Sequence, residues 1–291
     1  MKLLLVSDLH YAIKQFDWLY GVADRFDLVV IAGDHLDTSS TVDVDVQIVV
    51  ILKYLRRLQA KTRLLVSSGN HDLNGRDAAG ERAARWLSGA RGLGFLVDGD
   101  RVELEDTLIT VCPWWDGPRG RDTVGEQLAH DAVQRPARWI WVYHAPPDQS
   151  PVSWTGSRHY GDADLLQWIH QHRPDLVLTG HIHQAPFRSG GSWVDRIDTT
   201  WVLNAGRQIG PSPTYVVVDT AVMQAMWFSM ADNQVVELDG PPSRAVADLT
   251  RSWDPDADPN PASTPRVGGA PVSPAPRPPS TDGSRDPRTG A

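Results

Sequence analysis

Cysteine occurs once in the 291 residues, as Cys112, so no disulfide can form within the chain. A chain without bridges fits a reducing compartment. Long apolar runs are missing as well. The N-terminal one, Leu3 to Val6, ends at Ser7 and Asp8 and is too short for a signal-peptide core. No run approaches the ~20 apolar residues of a membrane span. Together these absences make a cytoplasmic location the expectation. Positive charge is also short: 28 Lys and Arg against 36 Asp and Glu leave a net charge of −8. A general electrostatic grip on nucleic acid or an anionic membrane is therefore disfavoured. Neither a Gly-x-Ser-x-Gly elbow nor a phosphate-cradling Gly-Lys-Ser/Thr loop occurs. The glycine-bearing "GARGLG", 89–94, follows a helical pattern, not a strand, and reads as a loop.

Large apolar and aromatic residues fade near Gly240. Residues 241–291 hold 12 of the 22 prolines, with Trp253 as their one aromatic. Such a segment buries too little surface to offset its ordering entropy. The expectation is a folded domain over 1–239 and a disordered Pro/Ser/Asp-rich tail over 240–291. Within the domain, apolar runs predict strands at 2–7, 27–32, 63–67, 107–112, 139–143, 175–179, 200–204, 214–219, 222–228 and 234–238. Helical spacing predicts helices at 14–25, 41–59, 79–90, 122–134 and 162–172. Segment 41–59 opens with "TVDVDVQIVV", which alternates like a strand, but its length and the following "LKYLRRLQ" favour a helix with Asp43 and Asp45 near its positive end. A βαβ rhythm followed by runs of strands argues an α/β layered fold with a mixed sheet, in which sites sit beyond strand ends.

Those ends share one chemistry. "LLLVSDLH" closes on Asp8 and His10, "LVVIAGDHLD" on Asp34 and Asp37, and "LLVSSGNHD" on Asn70, His71 and Asp72. "IWVYHAPP" carries His144, and "VLTGHIHQAP" carries His181 and His183. One such block is unremarkable, since a capping Asp, a Gly-Asn turn or a core His would account for it. Five blocks, each at a strand end, point to metal ligands gathered at one sheet edge. Two divalent ions about 3.5–4 Å apart need a bridging carboxylate. Imidazole and oxygen ligands suit Mn, Fe or Zn. Two carboxylates and a bridging hydroxide leave such a pair formally positive, which attracts a phosphate.

In order and spacing, "DLH", "GDHLD", "GNHD", "YHAPP" and "GHIH" resemble the calcineurin-like metallophosphoesterase superfamily over about 1–239. The resemblance implies two mixed β-sheets packed as a sandwich flanked by helices. It implies that Asp8, His10 and His183 hold one metal, that Asn70, His144 and His181 hold the other, and that Asp34 bridges both. It further implies that His71 protonates the leaving oxygen, with Asp37 orienting its ring. The implied reaction is dinuclear metal-dependent hydrolysis of a phosphoester, most simply a diester, by a metal-bridging hydroxide. The implied substrate is a small-molecule or nucleotide phosphoester. A phosphomonoesterase or nuclease using the same site is an alternative, and a non-catalytic scaffold of the same fold is another. Thr38 and Ser39 stand where Ser/Thr protein phosphatases carry Arg-Gly. Asp37 stands where purple acid phosphatases carry a tyrosine ligand, and those enzymes also lack the His of Asp-x-His. Neither subfamily fits. "LNAGRQIGP" matches a C-terminal Asn-Pro-Gly-Ser segment of small bacterial members only loosely.

Five further residues near the motif ends, Arg76, Arg158, His159, Tyr160 and Arg207, could grip a substrate phosphate. Trp114 and Trp115 could wall the pocket or pack in the core, and Cys112 reads as core.

Overall fold

All ten predicted strands form, and they do so because their residues suit burial on both faces. A computed structural model describes residues 1–240 and 250–252. In chain order the strands are β1 (Lys2–Val6), β2 (Leu28–Ala32), β3 (Arg63–Ser67), β4 (Gly75–Arg76), β5 (Arg82–Ala83), β6 (Leu96–Val97), β7 (Arg101–Leu104) and β8 (Thr107–Val111). They continue with β9 (Arg138–Val142), β10 (Leu176–Thr179), β11 (Val194–Ile197), β12 (Thr200–Asn204), β13 (Tyr215–Asp219), β14 (Gln224–Phe228), β15 (Asn233–Glu237) and β16 (Arg251–Ser252). The α-helices are α1 (Ile13–Val22), α2 (Val44–Gln59), α3 (Arg85–Arg91), α4 (Pro118–Val133) and α5 (Ala163–His172).

The first sheet has the order β16-β15-β14-β13-β1-β2-β3-β6, and the second β11-β12-β10-β9-β8-β7. Strands β1, β2, β3 and β6 run parallel, as do β8, β9, β10 and β12; antiparallel strands extend both sheets. Side chains alternate across each strand, so each sheet feeds two cores. Leu3, Leu5, Val30 and Leu65 face Ile109, Val142 and Leu178 in a core shared by the two sheets. The opposite side chains, Leu4, Val6, Val29 and Val66, pack with Phe16, Leu19, Ile51 and Leu55 of α1 and α2. On the far side, Leu108, Trp139, Trp141 and Val177 pack with Val124, Leu128, Leu165 and Ile169 of α4 and α5. The result is the expected sandwich of two mixed sheets flanked by helices. Among the described residues no helix is long and apolar enough to cross a membrane.

Segment 41–59 is helical from Val44, because the Asp43 carboxylate accepts from the Asp45 N–H at 2.8 Å and caps the first turn. From there Ile48, Ile51, Leu55 and Leu58 turn one apolar stripe to the core. The helix predicted over 79–90 forms only over Arg85–Arg91. Its first half instead belongs to the β4–β5 hairpin, in which Gly80 turns at φ +83°. Glu81 there reaches away to accept the N–H groups of Arg119 and Gly120 at the start of α4. Short strands β4 to β7 and β11 had no strand signal of their own.

The expected tail, 240–291, lies outside the described residues beyond Gly240 except at 250–252. There Arg251 and Ser252 pair antiparallel with Val235 and Gln234 at the edge of the first sheet.

The parallel strands aim their C-terminal ends the same way, and this gathers the motifs. The Asp8 N–H donates to Gly33 O, and the His10 N–H to Asp34 O. The Gly180 N–H donates to His144 O in the second sheet. His144 Nδ1 bonds Ala32 O at 2.7 Å and joins the two sheet ends.

Candidate metal centre

Two donor clusters that share a carboxylate result, and a third, His10, Asp37 and His71, adjoins the first. Asp8, His10, Asp34 and His183 bring one ligand atom each within 4.8 Å of one another; so do Asp34, His144 and His181. In the first cluster, His183 Nε2 lies 3.1 Å from both Asp8 Oδ1 and His10 Nε2. His10 Nε2 lies 3.6 Å from Asp34 Oδ2. Two imidazole nitrogens facing each other between two carboxylates are a donor set that could hold a cation. In the second, His144 Nε2 is 3.3 Å from Asp34 Oδ2 yet makes no hydrogen bond. Asn70, which lines the same cleft as His144, has its Oδ1 likewise buried and unpaired. Because His144 Nδ1 faces a carbonyl, a ring that gives up its other proton for a metal presents its lone pair at Nε2, the arrangement of a metal ligand. Buried polar atoms without partners are rare, and a divalent cation satisfies both of these.

The backbone is bent to achieve this. Asp8, His10, Asp34 and His181 all have positive φ, between 41° and 66°. Side chains other than glycine seldom adopt that region, and holding one there costs about 1–3 kcal/mol. The neighbouring glycines are required by close approach. A Cβ on Gly33, itself at φ +84°, would strike the His144 ring, and one on Gly69 would strike Asp34 Oδ1.

Electrostatics prepare the ligands unequally. Burial, against the pull of nearby carboxylates, lowers the pKa of His10 to about 4. Burial and the neighbouring His144 do the same to His181, also to about 4. Both rings are therefore neutral at pH 7 and ready to ligate. Burial acts on His144 in the same direction, but the Asp34 and Asp8 carboxylates outweigh it and raise its pKa to about 9. Burial opposes ionisation of Asp34 and Asp8 too; the His144 and His10 rings around Asp34, and His183 and His144 around Asp8, nonetheless hold both carboxyls below the usual range.

His71 stands beside the first cluster, its ring edge-on to His10 with centroids 4.5 Å apart. Its backbone N–H donates to Asp34 Oδ1 at 2.8 Å. Asp37 comes within 4.8 Å of His10 and His71. However, the hydrogen-bond partner of His71 Nδ1 is Thr38 Oγ1 at 2.9 Å, while Asp37 Oδ1 accepts from the N–H and hydroxyl of Ser39. Thr38 carried no sequence signal.

Asp72 was quoted in "GNHD" without a role, and it is the scaffold of the site. Fully buried, it accepts the N–H groups of Asp34, His35, Leu36 and Gly69 at 2.8–3.2 Å, and His35 Nδ1 at 3.0 Å. One carboxylate thus ties the 33–37 turn to the 69–72 turn. The identity of the fourth motif residue could have signalled this, since a buried Asp beside a Gly-Asn turn needs several donors.

A cleft of about 460 Å³ opens beside His144 and His181. Trp114 packs against both rings at 5.6 and 5.2 Å, so it walls the site. Tyr160 stacks on His181 at 5.8 Å and is 54% exposed. Arg207 acts electrostatically on His10, and its backbone N–H donates to His183 O. Arg76 and His159 are engaged elsewhere, with Gly80 O and with Ser150 O. Arg158 lies over the Tyr160 ring. Cys112 is buried in the core beneath α4 and α5.

Fold and donor set together define a metal-dependent phosphoester hydrolase. The sequence matches the family model described as calcineurin-like phosphoesterase over residues 1–185, and the chain belongs to that family. No curated protein matches the sequence significantly. Among solved structures, TT1561 of Thermus thermophilus is similar at 11% identity and a TM-score of 0.51, covering 81% of this chain and 98% of that one. Purple acid phosphatase PPD1 from yellow lupin (Lupinus luteus) seeds is similar at 11% identity and a TM-score of 0.50, covering 93% and 57%. At these identities the likeness concerns the fold.

Proposed function

We propose that the chain is a phosphodiesterase working through two divalent cations. In this reading Asp8, His10, Asp34 and His183 hold one, and Asp34, Asn70, His144 and His181 hold the other. The observation that carries it is the pair of donor clusters sharing Asp34, with His144 Nε2 and Asn70 Oδ1 buried and unpaired. Ions of the Mn, Fe or Zn type would supply Lewis-acid charge at the phosphoryl oxygens and lower the pKa of a water molecule.

The chain's own residues do the rest. In this reading His71, bonded to Thr38 at Nδ1 and anchored by its backbone N–H on Asp34, delivers a proton from Nε2 to the leaving oxygen. Asp37 puts a negative charge beside that ring, which complements the imidazolium an acid requires. Asp72 holds the turns that carry Asp34, Asn70 and His71 in register. Trp114 shields the His144 and His181 side from bulk water.

Charge supports a diester over a monoester. No arginine follows Asp37, and Arg207 is the cation that acts on His10. That sparse cationic complement suits a monoanionic diester better than a dianionic monoester. Hydrolysis of bis-p-nitrophenyl phosphate and p-nitrophenyl phosphate by the Mn²⁺-loaded protein tests this. The expected result is the larger kcat/KM on the diester. A larger value on the monoester reverses the preference, and no turnover of either contradicts catalysis.

A further inference from the structure

The cleft beside His144 and His181 is lined by aromatic side chains. Trp114, Trp115 and Tyr160 supply three aromatic faces or edges around it. Trp115 is fixed in place, because its Nε1 donates to Tyr143 Oη at 2.7 Å, and the Tyr143 hydroxyl donates in turn to Asp162. Asp162 is itself anchored, capping α5 by accepting the N–H groups of Asp164 and Leu165 at 2.8 and 3.1 Å. The Trp114 backbone is anchored on the other side, its main-chain N–H donating to Ser68 Oγ at 2.8 Å, and its ring packs against His144 and His181. The Trp115 ring is thus held before any ligand arrives and the Trp114 ring is packed in place, which reduces the ordering cost of binding.

We infer that this cleft is the subsite for the heteroaromatic base of a nucleoside phosphoester, whose phosphate sits between the two donor clusters. The inference rests on the phosphoesterase reading above and adds its substrate class. Three features favour a base. The walls are aromatic, and stacking tolerates any base because each has a π-face. The volume, about 460 Å³, falls in the ~300–1,000 Å³ range of sites for drug-sized ligands and exceeds the needs of a simple alcohol. The lining carboxylates, Asp162 and Asp164, disfavour a second phosphate there and complement a ring bearing amino groups. Arg121 pairs with Asp164 from outside the cleft at 2.6 Å, so that carboxylate is steadied where it stands.

The test compares adenosine 5′-monophosphate with ribose 5-phosphate, which differ only by the base. Calorimetry on the Mn²⁺-loaded full-length protein gives both affinities, and bis-p-nitrophenyl phosphate turnover is recorded on the same sample. The expected result is that the nucleotide binds at least about 10-fold more tightly than the sugar phosphate, as base–aromatic stacking provides. In Tyr160→Ala and Trp114→Leu that ratio falls toward one, and in Trp114→Phe it is largely kept. Tyr160 is half exposed, so its variant remains informative should Trp114→Leu misfold. Equal affinities, or none, in a wild type that hydrolyses the diester overturn the inference and leave the phosphoesterase reading standing. A wild type that turns over no diester overturns that reading, and the inference with it.

Discussion

Replacing Asp72 by Asn should unfasten the site without touching a ligand. The carboxylate is fully buried and accepts five bonds. Oδ2 takes the N–H groups of Asp34 and Gly69 with His35 Nδ1, and Oδ1 takes those of His35 and Leu36. An amide of the same shape keeps one oxygen and points an NH₂ group at the remaining donors. In the milder orientation two backbone N–H groups lose their acceptor. Each buried unpaired donor costs about 1–3 kcal/mol, so the loss is about 2–6 kcal/mol. For a domain of this size each kcal/mol shifts Tm by roughly 2–4 °C, giving a fall of about 5–20 °C. Thermal unfolding of the metal-free proteins by circular dichroism measures it. Metal content should fall as well, because the freed 33–37 turn carries Asp34. A Tm within about 2 °C of wild type, with metal content intact, would refute the scaffold role.

His71→Ala should keep its metals and lose about 10²–10⁴-fold on an alkyl or nucleotide diester, much less on a nitrophenyl diester, whose leaving group needs no proton. Thr38→Val should show the same selectivity more mildly; equal losses on both substrates would remove His71 from the acid role. The metal-free protein should lose stability as pH rises. His144 holds its proton up to about pH 9 when folded against 6.5 when unfolded, so its contribution is complete below pH 6.5 and is lost as pH rises through about 9. At 1.36 kcal/mol per unit the loss is about 3 kcal/mol, and His144→Gln should flatten the Tm-against-pH curve in that window. Deleting 253–291 should leave Tm and diesterase activity unchanged, since the segment lacks core-forming residues and the deletion spares the β15–β16 pairing. A large fall in Tm would place the tail against the domain.

The candidate ligands were legible because each lies just past an apolar run, and their chemistry is unlike that of ordinary loop residues. The strands were legible because "LLLV", "LVVIA" and "RLLVS" are buried on both faces and read as continuous apolar runs. Strands such as Gly75–Arg76 and Arg82–Ala83 were not, since two-residue ladders of polar side chains exist only through their partners. The helix expected from residue 79 failed because Glu81 is drawn to the start of α4, a tertiary attraction invisible to helical spacing. Within the site, the same limit separates donors from supports. The metal-facing residues announce themselves by type, whereas Thr38 on His71 and Asp72 under two turns are defined by what the fold brings to them. The exposed faces of Trp114 and Tyr160 belong to the same class, since an aromatic residue reads alike in a core and at a cleft wall.

The central claim is that one carboxylate serves two cations. Metal analysis by mass spectrometry, on wild type and on Asp34→Asn reconstituted with Mn²⁺ and desalted, tests it most directly. The account predicts two divalent ions per chain in the wild type and loss from both sites in the variant, with His10→Ala losing mainly one. A single ion in the wild type, or two tightly held ions in Asp34→Asn, would contradict it.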